Sequence, residues 1–189
     1  MHRVVTVFGS AITPPCSPQY ALAEELGQLL ARAGAGVCTG GYGGIMEAVS
    51  KGAREAGGAV IGITCDKIFR TRRANPYLSR EIPERDLLHR MLRLVAMGDA
   101  YVALPGSTGT LAEVFYVWNR MLVGELHRKP LILLGDAWQT VMDTLRKLHM
   151  IDPTESKVVH TVREAKQAVE LALTDTFGSL PPERFEPGS

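Results

Sequence analysis

Residues 104–113, LPGSTGTLAE, join a short apolar run to a helical pattern through a turn that contains glycine. Gly106 and Gly109 allow the backbone of this turn to approach a ligand closely. The free N–H groups at the start of the following helix favour an anion at the same place. A second turn of this kind, GGYGG at residues 40–44, also lies between a short strand pattern and a helical pattern. The two junctions together indicate a nucleotide-handling α/β protein.

Short aliphatic runs alternate with helical patterns along most of the 189 residues. Strands are predicted at residues 4–8, 36–39, 59–63, 100–104, 130–134 and, as a short edge strand, 157–160. Helices are predicted between them, with the last at residues 162–173. Such alternation favours a parallel sheet covered by helices on both faces. We therefore predict one doubly wound α/β domain over residues 1–177 and a loose tail at residues 178–189.

The alternation breaks between residues 64 and 80, which we call the basic segment. Its polar and turn-forming residues are Arg70, Arg72, Arg73, Asn75, Pro76 and Arg80. This composition is typical of a functional loop, and equally of a solvated connection. A helix is then predicted to begin at Pro83. The apolar side chains expected to point inward from it are Leu87, Leu88, Met91, Leu92 and Val95.

The turns after the first, second and fourth predicted strands all fall at the carboxyl ends of those strands. In doubly wound sheets, ligands bind outside these ends, where the strand order reverses. The candidate phosphate- or nucleotide-binding residues are Gly9, Ser10, Gly40, Gly41, Gly43, Gly44, Gly106, Ser107, Thr108, Gly109 and Thr110. Neither glycine turn is followed by the lysine of a Walker loop. Backbone amides and hydroxyl groups are therefore the expected phosphate ligands.

Two charged residues near these turns have both a structural and a functional interpretation. Glu113 stands three residues after Thr110, the spacing of a capping box, and is also a candidate catalytic carboxylate. Arg90 stands four residues after Asp86, which allows the two to pair on a helix surface. An arginine that holds a ligand would instead face the turns. The sequence leaves both alternatives open for each residue.

Composition excludes several classes of function. The formal net charge is +1 and no basic block stands out, so nucleic-acid binding is not expected. The five histidines lack metal-ligand spacing, and no metal site is predicted. Three widely spaced cysteines indicate a reduced setting. The chain lacks a leader pattern and any apolar run near the ~20 residues of a membrane span, so we expect a cytoplasmic protein without a membrane partner.

The motifs resemble those of the LONELY GUY family of phosphoribohydrolases, long labelled lysine-decarboxylase-like proteins. The family pattern PGGxGTxxE stands here at residues 105–113, with Ser107 in place of the second glycine. The family also has an Arg-Lys pair on a helix, whose arginine falls on Arg90 and whose lysine falls on Met91. Residues 9–10 and 40–46 match the two other ligand-facing turns. The resemblance covers most of the chain, from about residue 4 to the helix after residue 130.

The resemblance implies a Rossmann-like homodimer that hydrolyses the N-glycosidic bond of a nucleoside 5′-monophosphate. The substrate would be a cytokinin riboside 5′-monophosphate or AMP, and the products the free base and ribose 5-phosphate. It also implies catalytic roles for Arg90 and Glu113, with no metal or redox cofactor. An apolar surplus on the helix at residues 111–123 agrees with a homodimer.

Two departures from the family pattern support an alternative function. Met91 removes a cation, and Ser107 adds a side chain where the family has glycine. The alternative is a protein that binds a phosphorylated ligand without cleaving it, as the molybdenum-cofactor carriers of this superfamily do. Lysine decarboxylation through pyridoxal phosphate is not expected, because no lysine stands in the predicted ligand turns.

Overall fold

The structure, a computed structural model, describes residues 3–174 and contains one sheet of seven parallel strands. The strands are β1 (Val4–Phe8), β2 (Gly36–Thr39), β3 (Val60–Thr64), β4 (Arg80–Pro83), β5 (Ala100–Ala103), β6 (Leu131–Leu134) and β7 (Val159–Val162). The helices are α1 (Pro18–Arg32), α2 (Ile45–Glu55), α3 (Leu87–Met97), α4 (Thr108–Leu122), α5 (Asp136–Lys147) and α6 (Ala165–Leu173). The strand order is β4-β3-β2-β1-β5-β6-β7, which confirms the predicted doubly wound α/β fold.

Helices cover both faces of the sheet. Helices α1, α2 and α6 form one apolar layer, which includes Leu26 and Val49. Helices α3, α4 and α5 form the other layer, which includes Leu94 and Trp118. Strands β5 and β6 are buried along their whole length, because each face of the sheet packs against one of these layers. Burial on both faces explains why the strands appear in the sequence as continuous aliphatic runs.

The region before α3 differs from the prediction of a helix beginning at Pro83. Residues Arg80–Pro83 form the edge strand β4, which pairs with β3. Helix α3 begins only at Leu87, because the Asp86 carboxylate accepts a hydrogen bond from the backbone N–H of His89 at 2.8 Å and caps the helix there. Strand β4 is largely exposed, so it lacks the apolar run by which strands are predicted from sequence.

Helix α3 also turns a different face to the sheet than predicted. Three side chains expected to point inward are exposed, namely Leu87, Leu88 and Leu92. Val95 is buried as predicted, together with Arg90 and Leu94. A helical period identifies an apolar stripe but does not decide which of two neighbouring stripes meets the sheet. Here the inward position includes a buried arginine, which apolar periodicity does not detect.

The C-terminal elements are shifted by a few residues from their predicted positions. A 3₁₀ turn at Glu155–Val158 precedes β7, so the edge strand predicted at 157–160 lies at Val159–Val162. The predicted tail at 178–189 lies outside the described residues, and the domain boundary stays a prediction. Within residues 3–174, no helix is long and apolar enough to cross a membrane.

Candidate functional site

A cavity of about 180 Å³ lies at the carboxyl ends of β1 and β2, beside the start of α4. The strand order reverses at this place, between β1 and β5. Its wall consists of Val7, Phe8, Gly9, Ser10, Ala11, Ile12, Gly40, Met46, Phe69, Arg72, Arg90, Ser107, Gly109, Thr110 and Glu113. The turns after β1, β2 and β5 therefore converge on one cavity, as predicted.

The turns after β1 and β2 are joined through their backbones. The Ser10 carbonyl accepts a hydrogen bond from the Ile45 N–H at 2.8 Å, where α2 begins. Gly44 has a φ of 66°, and a Cβ atom there would collide with the Ser10 carbonyl. Gly9 is equally confined, because a Cβ atom on it would collide with the Ile45 side chain. The two turns thus form a single, tightly packed wall.

Arg90 is buried beneath the turn after β2. Its Nε donates a hydrogen bond to the Ile63 carbonyl at 2.8 Å, and its Nη2 donates one to the Gly40 carbonyl at 3.1 Å. A Cβ atom at position 40 would collide with Nη2, so a side chain at this place in the turn would displace the guanidinium. The surface pairing of Arg90 with Asp86 is therefore wrong, because the Arg90 side chain reaches the cavity wall while Asp86 caps α3.

The capping-box interpretation of Glu113 is also wrong. Helix α4 begins at Thr108 with Ser107 at the N-cap position, which leaves Glu113 in the second turn. Its Oε1 lies 3.6 Å from Nη1 of Arg90, and its side chain lines the cavity. The local spacing from Thr110 is that of a capping box, but the helix begins two residues earlier, so Thr110 is not the N-cap residue and the Glu113 side chain faces Arg90 instead.

Burial dominates the electrostatics of Glu113. The side chain is only 14% exposed, and desolvation raises the pKa of its carboxyl group to about 7. The Arg90 guanidinium acts in the opposite direction but does not compensate for burial. A carboxyl group with a pKa near neutrality can accept and return a proton at physiological pH. The Glu113 carboxyl group is therefore better suited to acid-base catalysis than the carboxylate of an exposed ion pair.

The raised pKa of Glu113 links the stability of the protein to pH. The native state holds this proton up to about pH 7, whereas the unfolded chain releases it near pH 4.5, so native stability falls as pH rises between these values. A Glu113→Gln variant lacks this titration. We therefore compare the free energy of unfolding of the variant with that of the parent at each pH. The difference, variant minus parent, should be larger at pH 8 than at pH 4 by roughly 3 kcal/mol. Urea titrations across this range would measure the difference, and a constant value would contradict the prediction.

Helix α4 presents its N-terminus to the cavity. Ser107, Thr108 and Gly109 are exposed there, and the Ser107 side chain makes no capping hydrogen bond. The amides of the first helical turn have no acceptor within the helix. With the helix dipole and the nearby Ser10 hydroxyl, these amides suit a phosphate group.

The cavity wall contains eight of the candidate residues. These are Gly9, Ser10, Gly40, Arg90, Ser107, Gly109, Thr110 and Glu113. The candidates that do not line the cavity are Gly41, Gly43, Gly44, Gly106 and Thr108. Some of them shape the turns, since Gly41 and Gly44 have positive φ angles. Gly106 lies so close to Thr110 that a Cβ atom would collide with its side chain.

The basic segment adds two wall residues that the candidate set lacks, Phe69 and Arg72. The guanidinium carbon of Arg72 lies 4.7 Å from the centroid of the Phe69 ring. The contact with the cavity favours a functional loop over a solvated connection. Composition could indicate such a loop, but which side chains face the cavity depends on tertiary packing. Within residues 3–174, no group of three or more His, Cys, Asp or Glu side chains could hold a metal ion.

Comparisons with known proteins identify the family to which this chain belongs. A family model described as "Possible lysine decarboxylase" matches residues 46–172, more than half of the chain. A cytokinin riboside 5′-monophosphate phosphoribohydrolase from Rhodococcoides fascians is 34% identical over 136 residues, covering 71% of this chain and 68% of that protein. The chain belongs to the LONELY GUY family. A LONELY GUY relative of the same name from Mycobacterium tuberculosis is 28% identical over 167 residues, or 84% of this chain and 89% of that one.

Solved structures share the fold of this chain. The molybdenum cofactor binding protein from the phototrophic bacterium Rippkaea orientalis matches with a TM-score of 0.73 at 25% identity, covering 90% of this chain and 95% of that chain. The molybdenum cofactor carrier protein from Chlamydomonas reinhardtii has the same fold, with a TM-score of 0.70 at 24% identity. The chain thus shares its fold with proteins named for molybdenum cofactor binding, while the relatives matched by sequence are named for phosphoribohydrolase activity.

Proposed function

We propose that the protein is a phosphoribohydrolase, which binds a nucleoside 5′-monophosphate in the cavity and hydrolyses its N-glycosidic bond. The observation that carries this proposal is the buried pair of Arg90 and Glu113 beside the exposed start of α4. The names of the relatives support a cytokinin riboside 5′-monophosphate as substrate, and AMP, which has the same ribose 5′-phosphate, is the second candidate substrate. The products are the free base and ribose 5-phosphate.

The start of α4 holds the phosphate group. Amides of residues 108–110 donate hydrogen bonds to its oxygens, and the Ser10 and Thr110 hydroxyl groups lie on the same wall. The ribose then lies over Glu113, one turn further along α4. Binding at both places fixes the orientation of the C1′ carbon before any bond breaks.

Glu113 is the catalytic residue in this proposal. When the C1′–N bond breaks, its electron pair leaves with the base and positive charge develops on the ribose. The Glu113 carboxylate stabilises this charge and accepts a proton from the attacking water, whose oxygen bonds to C1′. The proton passes on to the base, which leaves neutral. Arg90 acts as a positioning residue, because two of its donor groups already bond to backbone carbonyls and the third faces Glu113.

Release of free base tests this proposal directly. The protein is incubated with AMP, with an N6-substituted adenosine 5′-monophosphate and with adenosine, and the bases are separated by chromatography. We expect base from the monophosphates and little from adenosine, because only the monophosphates bind at α4. Release no faster than in buffer would contradict the proposal.

Binding without cleavage is the second candidate function. It is favoured by the structural match to a molybdenum cofactor binding protein and by Met91, which stands in place of the family's lysine and does not line the cavity. In that case, monophosphates or another phosphorylated ligand raise the melting temperature while no base appears. The release assay with parallel thermal shifts separates the two functions.

We also propose that the protein is a homodimer. Helices α3 and α4, on the same face of the sheet, expose large apolar side chains, namely Leu87, Leu88, Leu92, Phe115 and Leu122. Apolar surface of this kind usually marks a partner. We expect light scattering to give twice the 20.6 kDa chain mass. Leu88→Glu should give monomers while Leu148→Glu, an equally exposed site on another helix end, should not. A monomeric parent would overturn this proposal.

A further inference from the structure

The basic segment is fixed at two points to Tyr42, in the turn after β2. The Cys65 N–H donates a hydrogen bond to the Tyr42 hydroxyl at 2.7 Å. Nδ2 of the buried Asn75 donates one to the Tyr42 carbonyl at 3.0 Å. The residues between these two anchors are therefore held at both ends, and two of their side chains, Phe69 and Arg72, line the cavity.

Arg72 is held in place but keeps its hydrogen-bonding capacity. Its guanidinium lies over the Phe69 ring, which in turn packs edge-on against Tyr42 with 5.3 Å between ring centroids. Among residues 3–174, its guanidinium has no hydrogen-bond or ion-pair partner. A guanidinium over an aromatic ring can still direct its N–H groups at an anion.

The other cation on the cavity wall is already engaged. Arg90 donates hydrogen bonds to the Ile63 and Gly40 carbonyls and directs its remaining nitrogen at Glu113, so its donor groups already face partners within the protein. A phosphate monoester carries about −1.5 to −2 charges at pH 7, whereas a helix N-terminus offers roughly +0.5. The start of α4 therefore leaves most of the ligand's charge uncompensated.

We propose that Arg72 binds the phosphate group of the ligand and completes a site whose other half is the start of α4. The inference rests on the proposed function, which supplies the phosphate ester as ligand. Because Arg72 contacts the group that does not react, it contributes to affinity and leaves the bond-breaking step unchanged.

Ribose 5-phosphate is the probe for this proposal, because it carries the phosphate and has no N-glycosidic bond to lose. Its dissociation constant is measured by calorimetry for the parent, Arg72→Gln, Arg72→Lys and Arg73→Gln. Arg73 is the matched control, since it is exposed in the same segment and does not line the cavity. Thermal melts check that all four proteins are folded.

We expect Arg72→Gln to weaken binding roughly 10- to 100-fold, the effect of losing one charge-assisted hydrogen bond. Arg72→Lys should fall between Arg72→Gln and the parent, and Arg73→Gln should bind like the parent. With AMP, Arg72→Gln should raise KM by a similar factor and leave kcat unchanged. Equal losses in Arg72→Gln and Arg73→Gln, or no binding of ribose 5-phosphate to the parent, would overturn the inference. The proposed function fails by a different result, namely that the parent protein releases no base from AMP.

Discussion

The Glu113→Gln protein is expected to release base from AMP at least ~10²-fold more slowly than the parent. Glutamine fills the same space at the cavity wall, but it brings no charge to stabilise the positive ribose and accepts no proton from water. The phosphate contacts at α4 are unchanged, so KM should change little while kcat falls. Chromatographic initial rates at saturating AMP measure the loss.

Glu125→Gln is the matched control for this variant. Glu125 also pairs with an arginine, since its Oε2 lies 3.1 Å from Nε of Arg120, but it is exposed and is not part of the cavity wall. Removing this pair should leave both rate and stability near those of the parent. If Glu113→Gln also retained the parent rate, Glu113 would have no catalytic role.

Replacing Arg90 with methionine is expected to lower the free energy of unfolding by about 3–5 kcal/mol, the usual cost of removing one partner from a buried pair. Methionine fills much of the space, but it offers no donor to the Ile63 and Gly40 carbonyls and leaves Glu113 without its counter-charge. Base release should be lost as well, because the turn after β2 and Glu113 both depend on Arg90 for their positions. Urea unfolding and the base-release assay provide the two measurements.

Arg93→Met is the control on the same helix. Arg93 pairs with Glu84 at 2.8 Å, but its side chain is half exposed, so its loss should cost no more than about 1 kcal/mol. Similar stability losses in the two variants would show that burial of the Arg90 pair is not important for the fold.

The location of the site could be predicted because it follows from the order of elements. Turns at the carboxyl ends of parallel strands must lie along one edge of the sheet, so Ser10, Gly40 and Ser107 could be placed together from sequence alone. The strands themselves were identifiable because burial on both faces requires continuous aliphatic runs. The exposed strand β4 carries no such signal, and its position depends on pairing with β3.

The contacts within the site could not be predicted in this way. Sequence spacing paired Arg90 with Asp86 and Glu113 with Thr110, since both partners lie within one helical turn. The actual partners of Arg90 lie 27, 50 and 23 residues away, at Ile63, Gly40 and Glu113. Only the folded sheet brings them together. Phe69 was missed for the same reason, because nothing in a turn-rich segment indicates which aromatic ring reaches a distant cavity.

Helix α4 fixes the spacing between two groups that contact the ligand in the proposed function. In the proposed function, the amides that bind the phosphate and the carboxylate that faces the sugar both belong to helix α4, from Thr108 to Glu113. At about 1.5 Å of rise per residue, the backbone positions of Thr108 and Glu113 lie about 7.5 Å apart along the helix axis. A 5′-phosphate is separated from C1′ by the ribose ring and one methylene group, and can reach both ends. We expect a phosphate on C1′ itself to bind less well, because it cannot lie at the start of α4 while C1′ lies beside the Glu113 carboxylate.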